Sequence, residues 1–400
     1  MRWLIPAENL DDIQKLGVGL PVHTPVIISG EKRTGKTVTL LHRARRLQVQ
    51  FTLSTAQLHI WTATSGIRDL LRSEAHLLGI PSECIECYDD WCARVYREAV
   101  DAQLPVEPLT GAIATGVVRT VARFAIQWGY AQKPSFEVLL VDEAEAFSAA
   151  DIAFMAGMTR HITLSASFCW RKTTGASLLD AVGRNESDIT LTKRYQRNPL
   201  IADFNAMLRG ISTENSDAAH DGERETLTYF PAPSFREEVV RLAEVLHDRR
   251  ILDELTGILV SDSRIGEKLA RELRIAGIDV EVQSETHGEF PPPDFSNRFP
   301  KIFTFEGAHG LNFETVAIPC LSRRNFRGYP EDEISGLLAE GASLATRWVY
   351  FSSAKPSPLR QLDRLEELDR PGLLHILGKR HVKLPPARSR VKVTAIDDLL

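Results

Sequence analysis

The chain has 400 residues, of which 43% are apolar and 25% are charged, and these proportions are typical of a soluble globular protein. Its length is enough for two ordinary domains. A net charge of −5 excludes a surface that coats nucleic acid by positive charge alone, although it leaves room for a local basic groove. The first six residues lack the apolar stretch of a signal peptide. A membrane-spanning helix needs about 18 consecutive apolar residues, and no run in the sequence approaches that length. We therefore expect a cytoplasmic protein that does not contact a membrane.

The five cysteines are odd in number, which favours free thiols in a reducing compartment over a disulfide framework. Cys84, Cys87 and Cys92 are spaced closely enough to suggest zinc. However, residues 83–88 are predicted to form a strand, which would point Cys84 and Cys87 to opposite faces. Free thiols are therefore the favoured interpretation.

The most informative motif is GEKRTGKT at residues 30–37, which matches the phosphate-loop pattern GxxxxGK[ST]. An apolar run at 25–28 predicts a strand before it, and apolar spacing over 40–47 predicts a helix after it. In such a loop Lys36 would reach the terminal phosphates of a nucleotide and the Thr37 hydroxyl would ligate Mg²⁺. The alternative, a chance turn rich in glycine and lysine, does not explain the flanking strand and helix. The predicted backbone cradle for the phosphates includes Gly30, Thr34 and Gly35.

A second motif, VLLVDEAE at residues 138–145, reads as a buried strand that ends in carboxylates. Asp142 would hold the metal through water, and Glu143 would orient and deprotonate the water that attacks the γ-phosphate. An alternative remains open, because these carboxylates could instead cap the next helix near its positive N-terminus.

Strand-like apolar runs alternate with helical patterns along the chain, which is typical of an α/β protein with parallel sheets. The alternation occurs twice, and the polar stretch at 212–224 between the two sets reads as a loop. A helix-like connector is predicted over 191–208, with a domain boundary near Leu191. The loop at 286–298, which contains three consecutive prolines, is predicted to be irregular. The predicted strands are 25–29, 58–62, 138–142 and 161–165 in the first set, and 257–261, 278–283, 301–304, 314–319 and 348–352 in the second.

Further segments carry a family resemblance: WTATS at 61–65 resembles the motif TFTN, DEAE at 142–145 resembles DExQ, and LTKRYQRN at 191–198 resembles LxxNYRS. The longest, TFEGAHGLNFETV at 304–316, is similar to TxHxAKGLEFxxV. With the phosphate loop, these segments make residues 14 to about 352 resemble the UvrD/Rep-like family of superfamily 1 helicases. The resemblance implies two RecA-like parallel-sheet domains with an ATP cleft between them. The implied boundaries are 1–190 for the first domain, with a small helical insert within about 70–135, 191–355 for the second domain, and 356–400 for a C-terminal helix and basic tail.

The resemblance also implies ATP and Mg²⁺ as cofactors and single-stranded DNA as the partner, with RNA as an alternative. Gln14 and Tyr195 stand at the positions that hold the adenine base in that family. The implied nucleic-acid contacts are Thr62, Thr64, Thr304 and His309.

The departures from the family pattern concern hydrolysis and DNA contact. Leu344 occupies the position of an arginine finger, and residues 165–169 lack the glutamine that senses the γ-phosphate. Such fingers contribute about 10³ to 10⁵ in rate, so their loss should slow turnover more than binding. Arg197 is the proposed substitute finger, with Arg347 as a more distant one.

On the DNA side, Ala63 replaces a base-stacking phenylalanine, and stacking is worth about 1–3 kcal/mol per base. Trp170 could compensate, although a core role is the alternative for this side chain. The basic tail at 379–392 could touch phosphates or form a solvated chain end, and both interpretations stay open.

Two functions follow from these patterns. The first is an ATP-binding, UvrD-like helicase or translocase that acts on single-stranded nucleic acid and has a weakened ATPase. The alternative is a helicase-fold adaptor that works as an ATP-gated binding module for a protein partner such as a nuclease. The degenerate second-domain motifs favour the adaptor, whereas Lys36, Asp142 and Glu143 favour the ATPase.

Overall fold

The computed structural model describes residues 3–100, 103–106, 113–134, 136–167, 179–193, 199–208, 227–283, 290–355, 359, 361–362 and 374–377. These residues form two parallel β-sheets, each with helices around it. We call the elements around the first sheet the first domain and those around the second sheet the second domain. The protein is thus an α/β protein with two parallel-sheet domains, as the sequence predicts.

The first sheet has six strands in the order β3-β2-β4-β5-β1-β6, and all of its pairings are parallel. Its strands are β1 (Val26–Gly30), β2 (Leu58–Thr62), β3 (Ile85–Cys87), β4 (Phe136–Val141), β5 (Thr159–Ser167) and β6 (Ile189–Leu191). Its helices are α1 (Asp12–Gly19), α2 (Lys36–Phe51), α3 (Ser65–Ala75), α4 (Tyr88–Val100), α5 (Thr115–Gln127) and α6 (Ala149–Ala156).

The second sheet has seven strands in the order β13-β7-β12-β11-β8-β10-β9, again with parallel pairings. Its strands are β7 (Leu227–Ala232), β8 (Thr256–Val260), β9 (Glu281–Val282), β10 (Lys301–Thr304), β11 (Phe313–Ile318), β12 (Ala345–Ala354) and β13 (Leu374–Ile376). The accompanying helices are α7 (Pro199–Leu208), α8 (Phe235–Ile251), α9 (Ser263–Ile275) and α10 (Glu331–Ala342).

Burial follows from this architecture. Every residue of β1 and of β8 is buried, because helices cover both faces of a parallel sheet and the strands must be apolar on both sides. The helical region between β3 and β4 packs on the first sheet through an aromatic cluster in which the Trp61 and Trp91 ring centroids lie 5.1 Å apart. Trp91 is therefore a core residue, whereas Trp128, just after α5, is 73% exposed.

All nine predicted strand runs coincide with strands of the structure. The predicted strand at 83–88 is shorter than expected, because β3 starts at Ile85 and α4 already begins at Tyr88. Cys84, Cys87 and Cys92 are buried free thiols, and the described residues contain no group of three or more His, Cys, Asp or Glu side chains that could hold a metal ion.

The predicted connector at 191–208 needs a correction, since Leu191 belongs to β6 and the helix α7 begins only at Pro199. Residues 290–298 of the predicted irregular loop contain no helix or strand, and the rest of that loop lies outside the described residues. In the described part of the chain, no helix is both long enough and apolar enough to span a bilayer.

The two domains meet where the carboxyl edge of the first sheet faces the segment 305–312, which connects β10 to β11. Gly66, in the first turn of α3, lies so close to this segment that a Cβ there would be 3.2 Å from the carbonyl oxygen of Gly307. Next to it, Gln283 Nε2 donates a hydrogen bond to Ser65 Oγ at 3.0 Å. The contact between the domains is therefore formed by segments that carry or adjoin the predicted motifs.

Candidate functional site

The phosphate-loop segment forms the turn between β1 and α2, at the carboxyl edge of a strand that lies between β5 and β6. Gly35 has a φ of 84°, a left-handed conformation that glycine adopts without steric cost. Gly30 is enclosed, since a Cβ there would lie 2.5 Å from Thr34 Oγ1 and 2.8 Å from the carbonyl oxygen of Leu191. The two glycines are thus required by the turn itself. The N-terminus of α2 points into the site, and its free backbone N–H groups favour the binding of an anion.

Lys36 is buried at the start of α2, with its side chain folded over the loop. Its Nζ donates to the carbonyl oxygen of Glu31 at 3.1 Å and to Ser167 Oγ at 3.4 Å. Both acceptors are neutral, and Lys36 forms no ion pair with a residue in the described ranges. The ammonium charge is consequently available for a phosphate.

The two predicted metal-holding residues are in contact. Thr37 Oγ1 donates to Asp142 Oδ2 at 2.8 Å, and Ser165 Oγ donates to the other carboxylate oxygen of Asp142. Burial raises the pKa of Asp142, whereas the two hydroxyl groups and the Lys36 charge oppose that shift. Hydroxyl and carboxylate oxygens are the ligands that Mg²⁺ prefers, and Mg²⁺ sites in phosphoryl-transfer enzymes usually combine one or two carboxylates with substrate phosphates. The donor set therefore fits the predicted ion.

Glu143 follows Asp142 in a left-handed backbone conformation with a φ of 50°, which is uncommon for a residue with a side chain. Its Oε2 atom is buried without a hydrogen-bond partner among the described residues. Burial, followed by the negative charge of Asp142, raises the pKa of Glu143 to about 7. A carboxylate with this pKa and an oxygen that accepts no hydrogen bond is suited to accept a proton from a water molecule.

The second domain closes this part of the site. His309 Nε2 lies 3.9 Å from Glu143 Oε2, and His309 Nδ1 lies 3.3 Å from Glu340 Oε1. The hydrogen bond to Glu340 and the charge of Glu143 raise the pKa of His309. The structure places the ring of His309 beside the predicted catalytic base, and the contact of His309 with nucleic acid stays a prediction.

Gly310 lies at the closest part of this contact to Glu143, where a side chain would not fit. It has a φ of 79°, and a Cβ there would lie 2.4 Å from Glu143 Oε1 and 2.6 Å from Ile67 Cδ1. We expect Gly310→Ala to displace the segment 305–312 from the first domain and to lower the protein's unfolding temperature by several degrees, because both the backbone and the space oppose a side chain. The measurement is thermal unfolding by circular dichroism.

The matched control is Gly277→Ala in the same domain, where φ is 84° but a Cβ would meet nothing within 4 Å. If both variants lower the unfolding temperature equally, the loss comes from the backbone conformation alone, and the close approach of Gly310 to Glu143 is not a feature of the protein in solution.

The predicted adenine contacts are only partly described. Gln14 is buried in the first turn of α1, where its Oε1 accepts a hydrogen bond from the backbone N–H of Asp11 at 3.1 Å in a capping box. This contact gives Gln14 a structural role, and its role at the base stays a prediction. Tyr195, the substitute finger Arg197, and Trp170 lie outside the described residues, as does the basic tail.

Three predicted nucleic-acid contacts have hydroxyl groups that bond within their own loops. Thr62 Oγ1 donates to the carbonyl oxygen of Thr64 at 3.0 Å, and Thr64 Oγ1 accepts from the N–H of Ile67 at the start of α3. Thr304 Oγ1 accepts from the N–H of Gly307 at 3.0 Å. These bonds shape the loops at the cleft, and contact of these threonines with nucleic acid stays a prediction.

Sequence analysis missed Ser165 and Ser167 as site residues. They end β5, which pairs with β1 in a register that sets Ser165 beside Ile28 and Ser167 beside Gly30. Polar side chains at alternate positions of a strand share one face, and here that face is the phosphate-loop side. The signal was therefore the alternation in β5, where residues 159, 161, 163, 165 and 167 are polar and residues 162, 164 and 166 are apolar.

The position of the missing arginine finger is apolar in the structure as well. Leu344 is 5% exposed and belongs to the largest hydrophobic cluster. The more distant substitute, Arg347, has its Nη1 2.8 Å from Glu254 Oε1.

Comparisons with known proteins identify no family. No protein-family model matches the chain, and no curated protein matches it. Among solved structures, the C-terminal domain of a possible DNA helicase from Lactobacillus plantarum WCFS1 matches with a TM-score of 0.35 and 16% identity. The match covers 46% of this chain and 99% of that one, and at this TM-score it carries no argument about function.

Proposed function

We propose that the chain is a helicase-like ATPase of the UvrD/Rep-like superfamily 1 class, which binds ATP and Mg²⁺ and uses the nucleotide to change its grip on single-stranded nucleic acid. DNA is the favoured strand, and RNA is the alternative. The observation that carries the proposal is the convergence of Lys36, Thr37, Asp142 and Glu143 at the carboxyl edge of one parallel sheet. Open α/β sheets bind their ligands at this edge.

The proposed roles follow from the chemistry of each group. Lys36 holds the β- and γ-phosphates, because its charge is bound only by neutral acceptors. Thr37 and Asp142 hold the metal ion, which supplies charge neutralisation on the phosphates when bound. Glu143 positions a water molecule through its buried oxygen that accepts no hydrogen bond, and it accepts the proton of that water.

Two departures from the family pattern support slow ATP hydrolysis beside intact ATP binding in this protein. Leu344 offers no charge at the position of the family's finger, and residues 165–169 lack the family's sensing glutamine. Hydrolysis should therefore be slow relative to nucleotide binding. The same observation favours the second candidate, an ATP-gated adaptor for a protein partner such as a nuclease.

The proposal is tested by the fluorescence anisotropy of a labelled single-stranded DNA, titrated with the protein in the presence and absence of a non-hydrolysable ATP analogue and Mg²⁺. We expect the affinity for the strand to change at least about fivefold with the analogue, since a nucleotide at the proposed site would lie where the two domains meet and would couple them. Equal affinities under conditions where the analogue is bound would contradict the proposal. A labelled RNA of the same sequence decides between the two nucleic acids, and a strand-separation assay decides between motor and adaptor.

A further inference from the structure

Arg33, the residue in the middle of the phosphate loop, reaches out of its own domain. Its φ is 68°, a left-handed conformation that costs energy for a residue with a side chain. Its guanidinium Nη2 donates to the backbone carbonyl oxygens of Ser343 and of Ala345, the latter at 2.7 Å. The loop that would receive the phosphates is thereby fastened to the second domain.

The two acceptors flank Leu344, where α10 ends and β12 begins. At this point the main chain of the second domain contacts the side chain of Arg33. An arginine suits the contact because its planar fork of donors can serve two carbonyl groups at once. Both acceptors are main-chain carbonyl oxygens, so the contact does not depend on the side chains of residues 343 and 345.

A neighbouring contact between the phosphate loop and the second domain is more exposed to solvent than that of Arg33. Lys32 Nζ lies 2.9 Å from Glu340 Oε1, but the two side chains are 49% and 41% exposed to solvent. Exposed ion pairs of this kind contribute little to holding two surfaces together. Arg33 is half-buried, and burial lowers its pKa to about 10, which leaves it charged at neutral pH.

We propose that Arg33 is a positioning residue for the proposed ATPase reaction, which sets the position of the second domain over the phosphate loop by clamping the main chain on both sides of Leu344. The inference rests on the proposed function. It places the connecting arginine on the phosphate loop of the first domain, opposite the apolar Leu344 of the second. Occupancy of the loop and closure of the two domains are coupled through this side chain.

The test compares four forms of the full chain: wild type, Arg33→Gln, Arg33→Lys and Arg46→Gln. Arg46 is the matched control, because it also donates to a backbone carbonyl, that of Val18 at 3.0 Å, but within the first domain. Each form carries fluorophores on cysteines introduced at the exposed positions Gln50 and Ile275, one in each domain. The cysteines at 84, 87, 92 and 320 are buried, and a labelled protein without introduced cysteines gives the background.

Three quantities are measured: energy transfer between the labels in the absence of nucleotide, affinity for Mg²⁺ and ATP, and turnover. For Arg33→Gln we expect a lower and broader transfer efficiency, an ATP affinity within about threefold of wild type, and a turnover reduced at least tenfold. Arg33→Lys keeps the positive charge but lacks the planar guanidinium group that can donate to two carbonyl oxygens. We therefore expect it to resemble Arg33→Gln in energy transfer. Arg46→Gln should match wild type in all three.

Two results would overturn the inference. One is an energy transfer in Arg33→Gln that equals that of wild type and Arg46→Gln. The other is a loss of ATP affinity in Arg33→Gln, restored by Arg33→Lys, without a change in energy transfer, which would make Arg33 a phosphate ligand. If wild type binds no ATP, the proposed function fails, whereas the energy transfer of the nucleotide-free forms still decides whether Arg33 clamps the domains.

Discussion

Lys36→Ala should abolish measurable binding of ATP with Mg²⁺, with an affinity loss of at least about 100-fold, or about 2.8 kcal/mol. The Lys36 ammonium lies over the phosphate loop and is bound only by the carbonyl of Glu31 and the hydroxyl of Ser167. Its charge would therefore be directed at the terminal phosphates, and hydrogen bonds between charged groups are the strong ones. Isothermal titration calorimetry of wild type and variant measures the loss directly.

The control for this prediction is Lys32→Ala, which removes the same charge from the same loop. Lys32 is exposed and paired with Glu340 across the cleft, so we expect its variant to bind ATP within a fewfold of wild type. Arg33 does not substitute for Lys36, because its guanidinium is directed at main-chain carbonyls of the second domain. Equal nucleotide affinity in wild type and Lys36→Ala would show that the loop is not a phosphate site.

Glu143→Gln should preserve ATP binding and reduce hydrolysis by about 10²- to 10⁴-fold, the usual contribution of a general base. An amide has the same shape as the carboxylate but cannot accept the proton of the attacking water. The buried oxygen of Glu143 that accepts no hydrogen bond and the pKa of about 7 are the properties that the substitution removes. Phosphate release under saturating ATP measures turnover, and calorimetry confirms that binding persists.

Glu145→Gln is the matched control, since Glu145 also has a buried oxygen without a hydrogen-bond partner among the described residues. It lies two positions further along the chain, in a short 3-10 helix. We expect its turnover to stay near that of wild type. If Glu143→Gln and Glu145→Gln lower the rate equally, the effect comes from loss of charge in the carboxylate cluster, and Glu143 is not the base.

Much of the fold could be predicted because parallel strands are apolar on both faces and form compact apolar runs. Three strands were not predicted, and the cause is physical in each case. β6 and β13 are edge strands of three residues each, too short for any periodicity to show. β7 lies inside the second sheet but contains Pro231, a residue that argues against a strand because it has no N–H to donate.

The candidate site was predictable where it is local in sequence. The phosphate loop and the carboxylates after β4 each follow their own strand, and a parallel sheet brings such residues together at one edge. The contacts of Arg33 with Ser343 and Ala345 join residues more than 300 positions apart, and nothing in the local pattern of the loop indicates them. The position of His309 against Glu143 likewise depends on how the two domains meet.

The rate of phosphate release from ATP by the isolated wild-type chain, with and without Mg²⁺ and single-stranded DNA, tests the central claim most directly. We expect a slow rate that requires Mg²⁺, disappears in Glu143→Gln and rises only modestly with DNA. This expectation rests on the apolar Leu344 and on the four site residues Lys36, Thr37, Asp142 and Glu143. A wild-type chain that neither binds nor hydrolyses ATP, or a Glu143→Gln variant with undiminished turnover, would contradict it.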